Sequence, residues 1–118
     1  MNPFRQRITI YGNRDFLDEA FDFLKDLLED DIIAQYRKSK SGSRIDLIDG
    51  TSISFCILNE NYKGQKNTLA LVHKEDIDFN FCETVIMPTL IPNGQFFTID
   101  DVKDLEWRGN WKRYYGKY

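Results

Sequence analysis

Cysteine, histidine and proline are few in this chain of 118 residues, which holds two Cys, one His and three Pro. Cys56 and Cys82 form no CxxC motif, and His73 is the single histidine. The chain therefore offers at most three of the four soft ligands that a structural zinc site needs. Two reduced, buried thiols in a cytosolic protein are expected, with a disulfide between them left open. No apolar run reaches the roughly 18 residues of a membrane helix. Arg5 and Arg7 are followed by no apolar signal region, which argues against secretion and for a cytoplasmic location. Charge of one sign is not in large excess either. Sixteen Lys and Arg face nineteen Asp and Glu, for a net −3, and this argues against a general nucleic-acid coat protein. GxSxG, HExxH and GxxxxGK[ST] are absent, so no ready-made nucleophile, metal or phosphate motif exists. The expectation is a protein that is not an enzyme, with no catalytic residue, no metal and no cofactor.

What is present is material for one core. The chain is 42% hydrophobic and 14% aromatic, too apolar for disorder. A chain of this length buries about two-thirds of its unfolded surface. One domain over 1–106 is expected, followed by a tail over 107–118.

Arg7 to Tyr11 alternates and is β-branched, which predicts a strand. Gly12-Asn13 breaks it, and Asn13 or Asp15 can cap a helix. From Asp15 to about Asp31, Leu17, Ala20, Phe21, Leu24, Leu27 and Leu28 recur at helical spacing and predict one long amphipathic helix. Ile32, Ile33 and Tyr36 extend its stripe or begin a strand. Arg37 to Arg44 (RKSKSGSR) reads as a polar basic loop. Residues 45–48 and 51–57 flank Asp49-Gly50, which predicts a hairpin with a two-residue type I′ turn. Ile53, Phe55 and Ile57 then share one face, and Ser52, Ser54 and Cys56 the other. Asn59 to Asn67 is a polar loop. Thr68 to His73 is nearly all apolar, as in a strand covered on both faces.

Phe79 to Met87 is apolar but ambiguous between helix and strand. Pro88, Pro92 and Asn93-Gly94 punctuate the next stretch, and Phe96-Phe97 reads as a short strand. Thr98 to Asp101 resembles a capping pattern opening a short helix, with Ile99, Val102 and Leu105 inward. The sum is an α/β or α+β single domain. A mixed sheet of about five strands with a central hairpin is covered by one long helix.

Three patches carry candidate chemistry. The helix holds Asp15, Asp18, Asp22, Asp26 and Glu29 along one side, among further acids, with only Arg14 and Lys25 against them. Such a carboxylate row can imitate phosphates and occupy a partner's nucleic-acid cleft; a solvated outer face shows the same pattern. Like charges at i, i+4 weaken a helix by a few tenths of a kcal/mol each, so a purely structural helix would mix in more Lys. The second patch is Arg37, Lys38, Lys40 and Arg44, set among Ser and Gly, which can meet a phosphate or be a plain surface loop. The third is the tail, where Trp107, Arg108, Trp111, Lys112, Arg113, Tyr114, Tyr115, Lys117 and Tyr118 interleave aromatics with cations and no acid. That composition suits base stacking with phosphate pairing, a protein hot spot, or a tail folded back over the sheet.

His73 with Glu75, Asp76 and Asp78 forms a fourth, weaker cluster. Chemistry built on His73, Cys56, Cys82 and Asp76 requires at least three of them in one cleft.

Over residues 7 to about 99, the order of elements resembles part of the ATPase core of phage terminase large subunits. Ile45 to Phe55 (IDLIDGTSISF) resembles that family's hairpin, and Lys63-Gly64-Gln65 its Arg-Gly loop. Leu69 to Val72 resembles its Walker B strand, and Pro88 to Phe97 (PTLIPNGQFF) loosely resembles the next segment. The chain departs from the family where catalysis resides. No Walker A segment precedes the first strand, and His73 and Lys74 stand where an Asp-Glu pair follows the Walker B strand. The resemblance implies a fold fragment or a non-catalytic relative, and no catalytic residue carries over.

These features lead to the expectation of a small phage or mobile-element accessory protein. It would block a macromolecular partner, such as a host nuclease or defence complex, through the acidic helix face, the aromatic-basic tail, or both. The alternative is a nucleic-acid-binding module that uses the basic loop 37–44 and the tail.

Overall fold

A computed structural model of the chain describes residues 7–28, 32–39, 42–57, 67–76 and 90–105. The alternating segment after residue 6 forms β1 (Arg7–Gly12), and the helix after it is α1 (Arg14–Leu27). Then come β2 (Ile33–Arg37), β3 (Ser43–Leu47), β4 (Ser52–Ile57), β5 (Asn67–His73) and β6 (Leu90–Ile99). The strands lie side by side in the order β2-β3-β4-β1-β5-β6. β1 is parallel to both β4 and β5, and β5 is parallel to β6, while β3 runs antiparallel to both β2 and β4. The result is an α+β fold with a mixed sheet of six strands and one α-helix among the described residues.

α1 forms because its apolar residues fall on one stripe and its first turn is capped. Asn13 is the cap: its side-chain oxygen accepts the Phe16 N–H at 2.8 Å, and Asp15 follows in the first turn. Phe16, Leu17, Ala20, Phe21 and Leu24 are buried and pack on Ile8, Ile10, Ile53, Phe55 and Leu71 of the sheet. Each such Leu, Ile or Phe side chain removed from water stabilises the fold by about 1.5–3 kcal/mol. The Phe21 ring meets the Phe55 ring edge-on at 5.4 Å. On the opposite face, Thr9, Tyr11, Ala70 and Val72 are buried as well. β1 and β5 therefore have no solvent face, as the apolar run of β5 leads one to expect.

Several expectations are corrected. The helix ends at Leu27 rather than near Asp31. Leu28 turns to an extended conformation, and its N–H donates to the Leu24 carbonyl. Acids accumulate beyond that point in the sequence (Glu29, Asp30, Asp31), and negative charge opposes the carbonyl end of a helix. Of the two readings of Ile32, Ile33 and Tyr36, the strand is the one found: Ile33 opens β2, a sixth strand, and Tyr36 lies on it. The hairpin is real, but Asp49-Gly50 does not form a two-residue turn. The Gly50 N–H donates to the Leu47 carbonyl at 3.0 Å, and the Leu47 N–H donates to the Thr51 carbonyl across a three-residue loop. Gly50 follows the turn with φ 91°, a left-handed conformation that suits glycine. The hairpin also sits to one side, with β1 as the inner strand that joins it to β5 and β6.

β6 is ten residues long where a two-residue strand is expected. Pro92, Asn93 and Gly94 still act as a break, because the pairing with β5 shifts register between Asn67↔Leu90 and Leu69↔Gln95. Thr98 belongs to this strand and caps nothing. Asp101 is the cap, opening a 3-10 turn at Val102–Asp104 through a reciprocal bond pattern with Asp104. Ile99 and Leu105 are buried as expected, but Ile99 lies on β6. Arg37 to Arg44 is not one loop either. Arg37 ends β2, Arg44 lies on β3, and the two are register partners.

Candidate functional site

Burying one stripe of α1 turns the opposite side to solvent. Asp15, Asp18, Glu19, Asp22 and Asp26 are all exposed there. At 1.5 Å rise per residue, the row from Asp15 to Asp26 runs for about 16 Å. Two lysines stand close to it. Lys25 is half-buried, with its ammonium 4.2 Å from the centre of the Tyr36 ring. Lys38, just past β2, reaches back to Asp22 at 3.1 Å. Glu29 lies outside the described residues.

The amino-terminal end of the row opens onto a cleft of about 330 Å³. Asn13, Asp15, Phe16 and Glu19 line one side; His73, Asp100, Asp101 and Val102 line the other. The position follows from the topology. The chain leaves β1 for strands on one side of it and later returns to β5 on the other side. A crevice opens at the carboxyl ends of parallel strands where such a reversal occurs. His73, the last residue of β5, is buried, and its ring stacks on Phe16 at 3.9 Å and 11°. Lys74 approaches Asp100 at 3.8 Å, with both side chains largely exposed. With four carboxylates on its walls, the cleft favours a cation and repels a phosphate. Among the described residues, no group of three or more His, Cys, Asp or Glu is placed to hold a metal ion.

Cys56 and His73 do not meet in this cleft. Cys56 and Val72 both pair with Tyr11 in register, so Cys56 lies on the sheet face that Tyr11 and Val72 share. His73, one residue further, is on the other face. The Cys56 thiol donates to the Ile57 carbonyl at 3.6 Å. Glu75 is exposed. Cys82, Asp78 and the Asp76 side chain lie outside the described residues.

The basic patch is divided. Lys38 is engaged by Asp22. Arg44 donates to Asp46 at 2.7 Å, and Gln35 donates to the second oxygen of the same carboxylate. Arg37 is exposed at the end of β2, and Lys40 is outside the described residues. So is the whole tail, with Trp107, Arg108, Trp111, Lys112, Arg113, Tyr114, Tyr115 and Lys117.

The sequence reading missed Asp100 and Asp101 as neighbours of Asp15 and Glu19. Their spacing signals only a cap, and their position by the helix start depends on β6 lying beside β5. No described helix is long and apolar enough to cross a membrane. No family model, curated protein or solved structure matches the chain.

Proposed function

We propose that this chain is a non-enzymatic binding protein whose acidic helix occupies a basic surface of a macromolecular partner. The partner is a protein, or a protein–nucleic acid complex such as a nuclease, whose surface normally receives phosphates. The chain blocks that surface by presenting carboxylates in their place. The observation that carries the reading is the five-carboxylate outer face of α1, which continues into the acidic cleft at its amino-terminal end. Aligned carboxylates on a rigid helix lose little freedom on binding, which favours complementarity with a fixed row of Arg and Lys. The aromatic-basic tail supplies a second contact in this reading.

A nucleic-acid-binding module finds less support. Of the described cations in 37–44, Lys38 and Arg44 already stand on carboxylates, which weakens the local positive field.

The test is affinity capture from a lysate of the producing cell, with the wild-type chain and a triple variant, Asp18→Lys, Asp22→Lys and Asp26→Lys. The wild type should retain a basic partner that the variant loses, while both proteins melt cooperatively. Equal recovery by both would place the contact surface elsewhere.

A further inference from the structure

We infer that Lys38 is a built-in competitor for the acidic face of α1, which a partner's basic side chain must displace. The inference rests on the reading of α1 as the contact surface and names how that surface is regulated.

The geometry is direct. Asp22 lies mid-row, with Asp18 and Asp26 one helical turn to either side. The Lys38 ammonium stands 3.1 Å from its carboxylate and 5.6 Å from the centre of the Phe21 ring. Asp22 therefore already holds a cation of the kind a basic partner would bring. The pair is open to exchange, because the two side chains are 43% and 65% exposed. Exposed pairs of this sort contribute little to stability, so displacement is easy and the fold does not depend on the contact. Lys25 differs, since it is half-buried and engaged with Tyr36.

Local chain path places Lys38 there. It is the residue after β2, the edge strand, and the β2 residue Tyr36 meets Phe21 of α1 edge-on at 6.1 Å. This contact sets the end of β2 against the helix, so the next lysine reaches the carboxylate row. Any modification that removes the Lys38 charge, such as acetylation, then frees Asp22 for a partner.

The experiment measures the affinity of a short Arg-Gly repeat peptide at low ionic strength by calorimetry. Four forms of the full chain are compared: wild type, Lys38→Gln, Asp22→Asn, and the double variant. Arg44→Gln serves as a control with the same change in net charge on the sheet face away from α1, since Arg44 pairs with Ser54 and Ser54 with Thr9 in register. Lys38→Gln should bind about two- to five-fold tighter than wild type, exceeding any gain from Arg44→Gln. The gain should vanish in the Asp22→Asn background. If the peptide binds but Lys38→Gln gains no more than Arg44→Gln, or keeps its gain without Asp22, the competitor role is wrong. If the peptide binds neither wild type nor Lys38→Gln, the reading of α1 as contact surface fails with it.

Discussion

Replacing Asp26 by Asn should make the protein more stable, and the gain should be visible only at low salt. Asp26 is exposed in the last turn of α1, one turn beyond Asp22. Two unfavourable effects meet at this carboxylate. Repulsion between like charges at i, i+4 costs about 0.2–0.5 kcal/mol. A negative charge beside the carbonyl end of a helix costs about 0.3–1 kcal/mol. Removing the charge while keeping the shape therefore stabilises the fold by about 0.5–1.5 kcal/mol. For a chain of this size that is a rise in melting temperature of about 2–6 °C. The assay is thermal unfolding followed by circular dichroism, at low ionic strength and again near 1 M salt, where the screening length falls to about 3 Å. The rise should shrink sharply at high salt. A melting temperature that is unchanged or lower at low salt would refute the argument that the acidic face is held at a cost to stability. So would a rise that salt does not diminish.

Further perturbations test the fold around the site. Leu24 is fully buried beneath α1, so Leu24→Ala should destabilise by about 2–5 kcal/mol, read from the urea midpoint. Asn13→Ala removes the acceptor of the Phe16 N–H and should cost about 1 kcal/mol in the same assay, with Asn13→Asp or Asn13→Ser retaining most of the stability. Gly50 has φ 91°, so Gly50→Val should cost about 1–2 kcal/mol and Gly50→Asn less. If Gly50→Val melts like wild type, the hairpin loop is built differently.

The helix and β5 were legible because their residues are patterned by burial. One apolar stripe marks α1, and an unbroken run marks a strand with no solvent face. The hairpin was legible from Asp49-Gly50, but not its loop, because the same dipeptide serves a two-residue turn or closes a longer one. β6 was hidden because Pro92 and Gly94 signal a break. The break is absorbed as a register shift against β5 rather than as a strand end. The acidic face could be read from spacing alone. The cleft could not, because Asp15 and Asp101 become neighbours only through the order of β1, β5 and β6. Lys38 falls in a basic polar stretch of the sequence, and its link to Asp22 depends on Tyr36 of β2 meeting Phe21 of α1.

The most direct test of the contact surface is carboxylate footprinting of the captured complex. The free chain and the complex are labelled with a water-soluble carbodiimide and an amine, and modification is mapped by mass spectrometry. Asp15, Asp18, Asp22 and Asp26 should label readily in the free chain, where all four are exposed, and should be protected together in the complex. Undiminished labelling of these four, with protection confined to carboxylates elsewhere, would contradict the account.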